Sequence, residues 1–474
     1  MEVAKSNILF LVIDGMTREK FSTNQRTCKT PNIDSLIKKG TYFNQTVTSG
    51  SVTVPSMGGI FSSLYPFECL NLDNTLVRFN SNLKNFPRYF SEKNYFTIAT
   101  IPESFSHTGF NEIFEKIHEY NYPSTLFDGL GDDILKIISE LKKPWLYYIH
   151  LSDLHNEIDF QKIDELKKFD NNNFGDSRIE RMISAFDSWL GKIFDKIDVK
   201  NTLIIVTADH GHEGLSYNAN MIKLGLNYDY EQFEPGKFFR LGRKVVEKFP
   251  KKHPIRKKLA SMYKERREKS EKNTRNPIIE KIENSELRPY EKRIMINDVH
   301  YISHVYDERF LVPLLFVGLN VPSNKKILQQ VRSMDIFPTV CDLIDIPINF
   351  DSIKGKSLLP LMSDKKVEES PALLDSIVNS TLSPSSNVLG IRTSKFKYFR
   401  DRNNLSQNIH LFDLTLDPHE EHNIASSNKD LVSEMESIFQ QINPSKDFTI
   451  KSSKKLSESE INDAKDILKK LGYV

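Results

Sequence analysis

Three short apolar runs along this chain each end at carboxylates or imidazoles. Asn7–Ile13 (NILFLVI) stops at Asp14-Gly15, and Pro144–His150 (PWLYYIH) runs into Asp153 and His155. Thr202–Ala208 (TLIIVTA) stops at Asp209-His210-Gly211-His212. Continuous rather than alternating apolar runs suit strands of a parallel sheet that is covered on both faces. A fourth run, LVPLLFVG (Leu311–Gly318), reads the same way. Between the runs the spacing turns helical. TPNIDSLIKKG (Thr30–Gly40) carries proline at its first helical position and glycine at its stop. Arg178–Ile197 has an apolar stripe at Ile179, Met182, Ile183, Phe186, Leu190, Ile193, Phe194 and Ile197, which predicts a helix packed on the sheet. SMDIFPTVCDLIDI (Ser333–Ile346) predicts another, with Cys341 in its core face. Asn71 to Lys142 gives no clear pattern. From about Pro371 the chain reads as a smaller α+β unit, with a hairpin in VLGIRTSKFKYFRD and a closing helix, SESEINDAKDILKKLGYV.

In an open α/β sheet, ligands bind beyond the carboxyl ends of the strands. Asp14, His150, Asp153, His155, Asp209, His210 and His212 are therefore expected along one edge. One capping Asp or one surface His has an ordinary explanation, but three coincident strand ends point to a site. His150, inside its run, reads as structural.

YFNQTVTSGSVTVPSMGGIFSSLYP (Tyr42–Pro66) offers the nucleophile. Pro55-Ser56-Met57-Gly58-Gly59 predicts the first turn of a helix, with Thr53 just ahead of it. A hydroxyl there lies in the field of unpaired backbone N–H groups, which suits an anionic ester and a developing oxyanion.

The length of 474 residues allows one large domain and an appendage. Three scattered cysteines exclude a disulfide framework or a zinc ribbon. The amino-terminal apolar run is too short and wrongly flanked for a signal peptide, and no run is long enough to span a bilayer, so the expectation is a cytoplasmic protein, peripheral to a membrane at most. Charge is uneven. Lys237–Arg275 holds sixteen Lys/Arg against four Asp/Glu, a local +12 in a chain whose net charge is +2. This run reads as an insertion, either contacting an anionic membrane surface or polyanion or forming a solvated hairpin over the site; no specific nucleic acid is expected.

The ordered motifs resemble the sulfatase family of the alkaline phosphatase superfamily. NILFLVIDGM is similar to the family's first strand and metal aspartate, TPNIDSLIKKGTYF to its first helix, and Phe43–Pro66 to its nucleophile segment. YIHLSDLHNEIDF is similar to the segment supplying an active-site histidine, and TADHG to the second metal motif. VYDERFLVPLLFVG, SMDIFPTVCDL, KGKSLLPLM, IRTSKFKYF, LFDLTLDPHEEHNIA and LKKLGYV resemble later landmarks. The resemblance implies an α/β three-layer sandwich with a mostly parallel central sheet and a small C-terminal α+β subdomain. The expected division is residues 1–370 for the catalytic domain, with the basic insertion at about 215–298, and 371–474 for the subdomain.

Where the family carries the Cys or Ser that becomes formylglycine, this chain has Thr53, and the following Arg is Met57. Threonine cannot become formylglycine, so Thr53 is expected to act as an alkoxide, as in the phosphodiesterase and phosphotransferase branches. Gly15 replaces the family's second N-terminal aspartate. The expected metal ligands are Asp14, Thr53, Asp209 and His210. Mixed N/O ligation suits Mn²⁺ or Zn²⁺ better than Mg²⁺ or Ca²⁺, and one ion is expected rather than two, because the D-x-H spacing of Asp153 and His155 departs from that of two-metal phosphodiesterases. His155 is the expected catalytic partner and substrate ligand, with His304, His300 and Asp153 as further substrate contacts. These readings imply a metal-dependent hydrolase or phosphotransferase of small-molecule, glycan or lipid esters that favours phosphoesters. Sulfuric ester hydrolysis and a non-catalytic polyanion-binding relative are the alternatives.

Overall fold

An eight-stranded sheet organises the larger of two compact units, Met1–Leu215 with Ile302–Val474. The structure, a computed structural model, describes residues 6–22, 26–73, 76–121, 124–142, 144–155, 160–212, 224, 275–300, 303–348, 350–378, 386–442 and 451–452. The large-sheet strands are β1 (Asn7–Ile13), β2 (Gly40–Val47), β5 (Phe96–Pro102), β6 (Lys116–Tyr120), β7 (Trp145–Leu151), β8 (Thr202–Thr207), β9 (Leu311–Val317) and β10 (Lys325–Arg332). Their order is β10-β2-β9-β8-β1-β7-β5-β6, and β9 alone runs against its neighbours. The sheet is thus mostly parallel.

The unbroken apolar runs are buried throughout because each strand feeds two cores. Leu9, Leu11 and Ile13 of β1 pack with Met182, Ile183, Phe186 and Leu190 of the helix Arg178–Asp195. Ile8, Phe10 and Val12 pack on the opposite face with Met57, Ile60 and Phe61 of the helix Thr53–Ser62 and Phe337 and Val340 of Ile336–Leu343. Two apolar faces against two helix layers make the three-layer sandwich. Each fully buried Leu, Ile or Phe contributes about 1.5–3 kcal/mol.

Register sets the site. Val12 is level with His150 on β7 and Thr207 on β8, so Asp14 and Asp209 each leave the sheet two residues beyond one rung. The helix Pro31–Lys39 has no cap from Thr30; Asp187 of the Arg178–Asp195 helix takes the Asn32 and Ile33 N–H groups instead, at 3.0 and 2.8 Å.

Two expectations need correction. The helix begins at Thr53, with Val52 as its cap residue, so Thr53 lies in the first turn rather than ahead of it, and Pro55 is its third residue. The stretch from Asn71 to Lys142 supplies two large-sheet strands, β5 and β6, together with the helix Gly131–Glu140.

Two smaller sheets complete this unit. β3 (Leu70–Asp73) pairs antiparallel with β4 (Leu76–Phe79) and parallel with β15 (Lys451–Ser452). The antiparallel C-terminal sheet joins β11 (Ala372–Asp375), β12 (Val388–Arg392), β13 (Phe396–Asp401) and β14 (His410–Asp413), with β12–β13 as the expected hairpin. The helix Lys429–Ile442 packs Met435 and Phe439 against it. The expected closing helix, 457–474, lies outside the described residues. The second unit, Ser216–Tyr301, contains the helix Pro289–His300 and a small core of Ile282, Ile294 and Met295. Residues 237–274 of the basic insertion are not among those described.

Candidate active site

Asp14 leaves β1 with its N–H donating to the Leu151 carbonyl at 2.9 Å, and Gly15 follows at φ +74°, a left-handed turn that glycine adopts without strain. That turn aims the Gly15 N–H at Asp209 Oδ1, 3.3 Å away. The same oxygen accepts the His210 N–H at 2.8 Å. Asp209 Oδ2 is buried and accepts no hydrogen bond among the described residues. Gly211 is required too: a Cβ there would stand 2.0 Å from the Glu308 carbonyl oxygen.

His210 Nδ1 lies 2.9 Å from the Gly211 carbonyl, which can only accept, so Nδ1 carries a hydrogen, and in that neutral tautomer Nε2 presents a lone pair. Three oxygens surround that lone pair: Thr53 Oγ1 at 3.4 Å, Asp209 Oδ2 at 3.5 Å and Asp14 Oδ1 at 3.6 Å. Asp14, Asp209 and His210 are buried, with one ligand atom from each within 4.8 Å of the others. A divalent ion fits this set. It would complete the orphaned Asp209 oxygen and offset two buried carboxylates, which are costly without a counter-charge.

The structure brings Asp14, Asp209, His210 and Thr53 together. Asp153 is not part of that group: its Oδ1 accepts the Leu126 N–H at 2.9 Å, and burial, partly offset by that bond, pushes its carboxyl up to about 7. His155 closes the 3-10 turn Asp153–His155, but its side chain is not among those described. His304 is buried and its Nδ1 accepts the Tyr306 N–H at 3.2 Å. Its neighbour Ser303 meets Ser51, two residues before Thr53, hydroxyl to hydroxyl. His300 ends a helix of the second unit, and its side chain is likewise not described.

One residue escaped the reading of the sequence. Arg309 is buried, its guanidinium donates to the Ser51 carbonyl at 3.4 Å, and its own carbonyl accepts the Gly211 N–H at 2.8 Å. It therefore ties the loop before Thr53 to the Asp209-His210 turn. The available signal was an arginine directly before an apolar strand, where a buried charge needs a reason.

A buried carboxylate–imidazole cluster that could hold a divalent ion faces a helix-borne hydroxyl at the carboxyl edge of a two-sided α/β sheet, where ligands bind in folds of this class. The chain belongs to the sulfatase family, whose model matches residues 6–346, and a second model, N-sulphoglucosamine sulphohydrolase, C-terminal, matches 297–445. It is 30% identical to arylsulfatase K of Gallus gallus over 149 residues and 32% identical to that of Rattus norvegicus over 133. These matches cover 30% and 27% of this chain, and only 27% and 23% of those relatives. Among solved structures, Ps i-CgsB superposes with a TM-score of 0.63 over 99% of both chains at 15% identity. The phosphonate monoester hydrolase of Agrobacterium radiobacter gives 0.59 at 13% identity, over 93% of this chain and 96% of its own. At such identities these structures speak for the fold.

Proposed function

We propose that this chain is a metal-dependent ester hydrolase or phosphotransferase in which Thr53 is the nucleophile and phosphoesters are preferred to sulfate esters. The observation that carries it is the convergence of Thr53 Oγ1, Asp14 and Asp209 on Nε2 of His210. Asp14, Asp209 and His210, with Thr53, would hold the ion, Mn²⁺ or Zn²⁺ in preference to Mg²⁺ or Ca²⁺. Bound there, a divalent ion depresses the hydroxyl pKa and offsets charge on the transferring group. Thr53 Oγ, its proton given up to solvent, attacks the central atom of the ester; the bond from that atom to the leaving oxygen breaks, and the alcohol departs with a proton for which His155 is the proposed donor. The ester formed on Thr53 is then cleaved by water or an acceptor alcohol.

The choice between phosphorus and sulfur follows from that second step. A formylglycine hydrate releases sulfate by collapsing, without a further attack at sulfur, and threonine has no such exit. Transfer through an ester on a hydroxyl is established chemistry for phosphoryl groups.

Sugar esters are the proposed substrate class, because Ps i-CgsB has also been solved with k-i-k-neocarrahexaose and another neighbour of this fold is a 2-O GAG sulfatase. Sulfuric ester hydrolysis is the second reading, favoured by the arylsulfatase K relatives. The basic run 237–275 is proposed to bring the enzyme to an anionic membrane or polyanion. Among the described residues no helix is long and apolar enough to cross a membrane. The test compares kcat/KM for matched aryl phosphate, phosphodiester and sulfate substrates, with Thr53→Ala as control. The expected result is a phosphoester preference that Thr53→Ala abolishes. A sulfate preference abolished by the same variant overturns the phosphoester assignment.

A further inference from the structure

We infer that His150 is a positioning residue for Asp14: its imidazole holds one carboxylate oxygen so that the other faces the metal cluster. The inference rests on the metal reading above and goes beyond it, since the sequence placed His150 at the same edge but read it as structural.

His150 is the sixth of the seven β7 residues, level with Val12 of β1, and its side chain is fully buried. Nε2 lies 3.3 Å from Asp14 Oδ2, and Nδ1 lies 2.8 Å from the Tyr148 hydroxyl, which comes from the same strand two residues earlier and so from the same face. An Asp14 ionised to bind a cation can only accept, so Nε2 must carry the hydrogen. Nδ1 is left as an acceptor, and the Tyr148 hydroxyl fills it by donating. Burial raises the Tyr148 phenol well above its ordinary value, which keeps that hydroxyl a donor. Both ring nitrogens are thereby assigned.

The ring has little freedom to turn away. Phe105 lies against it with centroids 4.6 Å apart, and the Tyr120 hydroxyl donates to the His150 carbonyl at 2.9 Å. The two oxygens of Asp14 consequently have separate partners: Oδ2 toward His150, Oδ1 toward His210 Nε2 at 3.6 Å. A carboxylate so divided presents one oxygen of fixed direction to an ion. This matters more here because Gly15 supplies no carboxylate, so the aspartate on this strand end has no neighbour to share the ligation. Outer partners of this kind fix ligand orientation, and their loss typically lowers metal affinity about 10- to 100-fold.

The test uses the full-length chain stripped of metal, with Mn²⁺ and Zn²⁺ affinities measured by competition against a chromophoric chelator and metal-free melting recorded in parallel. His150→Ala should weaken binding about 10- to 100-fold. His150→Gln, whose amide N–H can stand near the Nε2 position, should recover most of it, and Tyr148→Phe should cost a few-fold. A histidine that merely filled space would lower the metal-free melting temperature and leave the affinity of the folded protein unchanged. Affinity in His150→Ala within twofold of the wild type overturns the inference while leaving the metal reading intact. If the alanine variant does not fold, an affinity in Tyr148→Phe equal to that of the wild type overturns it equally. A wild type that binds neither ion overturns the metal reading and this inference together.

Discussion

At the sheet edge, Asp209 meets two backbone N–H groups on one oxygen and no hydrogen bond on the other among the described residues, with the His210 Nε2 atom 3.5 Å from it. Beneath the C-terminal sheet, a second buried cluster is put together differently. Lys397, with no exposure, bridges Asp307 at 2.5 Å and Glu420 at 2.7 Å, and Arg392 meets Asp307 at 2.8 Å. Burial alone would raise the Asp307 carboxyl, yet Arg392 and then Lys397 hold it well below the usual carboxylate range. Two carboxylates there face two fixed cations. Both clusters are largely buried, so burial does not distinguish a site from a strut; the balance of charge does, two carboxylates facing two fixed cations in one and a single imidazole in the other.

The difference can be broken from the balanced side. Lys397→Met leaves Asp307 and Glu420 buried with one cation between them and should destabilise the protein by about 3–5 kcal/mol. Divalent metal bound per folded chain should not change, as read by denaturant unfolding and elemental analysis. Loss of metal with unchanged stability would reverse the assignment of the two clusters.

A smaller effect concerns a third buried carboxyl. Asp153 keeps its proton up to about pH 7 in the folded chain, chiefly through burial, whereas the unfolded chain releases it in the ordinary carboxylate range. The stability it contributes is complete below roughly pH 4 and is lost as the pH rises toward 7, with a slope of at most one proton, about 1.4 kcal/mol per pH unit. Melting of the metal-free protein across that window should flatten in Asp153→Asn. An unchanged slope would mean that Asp153 is ionised in the fold.

The balanced and unbalanced clusters were not equally legible in the sequence. β1, β7 and β8 announced themselves because strands covered on both faces must be apolar at every position, and Asp14 and Asp209 stood out as the residues where those runs stop. β5 and β6 did not. FTIATIP interrupts its apolar residues with threonines, and KIHEY, at the end of the sheet order, is only partly buried. Thr53 was found through its helix, but its place in the first turn was not, because Pro55 sits at the third helical residue rather than the first. Arg309 and the Asp307–Lys397–Glu420 network depend on contacts between segments up to 258 residues apart, which no local pattern encodes. His150 was hidden by its strand: a buried imidazole looks like core until its neighbour on β1 is known.

The account depends most on the unfilled Asp209 oxygen being a place for a cation. Asp209→Asn keeps the Oδ1 acceptor and removes the charge, so it tests that point with little change of shape. Divalent metal should be measured by elemental analysis in the wild type and in this variant, after equal exposure to Mn²⁺ or Zn²⁺ and exhaustive dialysis. The prediction is one ion per chain in the wild type and none in Asp209→Asn. Equal metal content in the two proteins would contradict it.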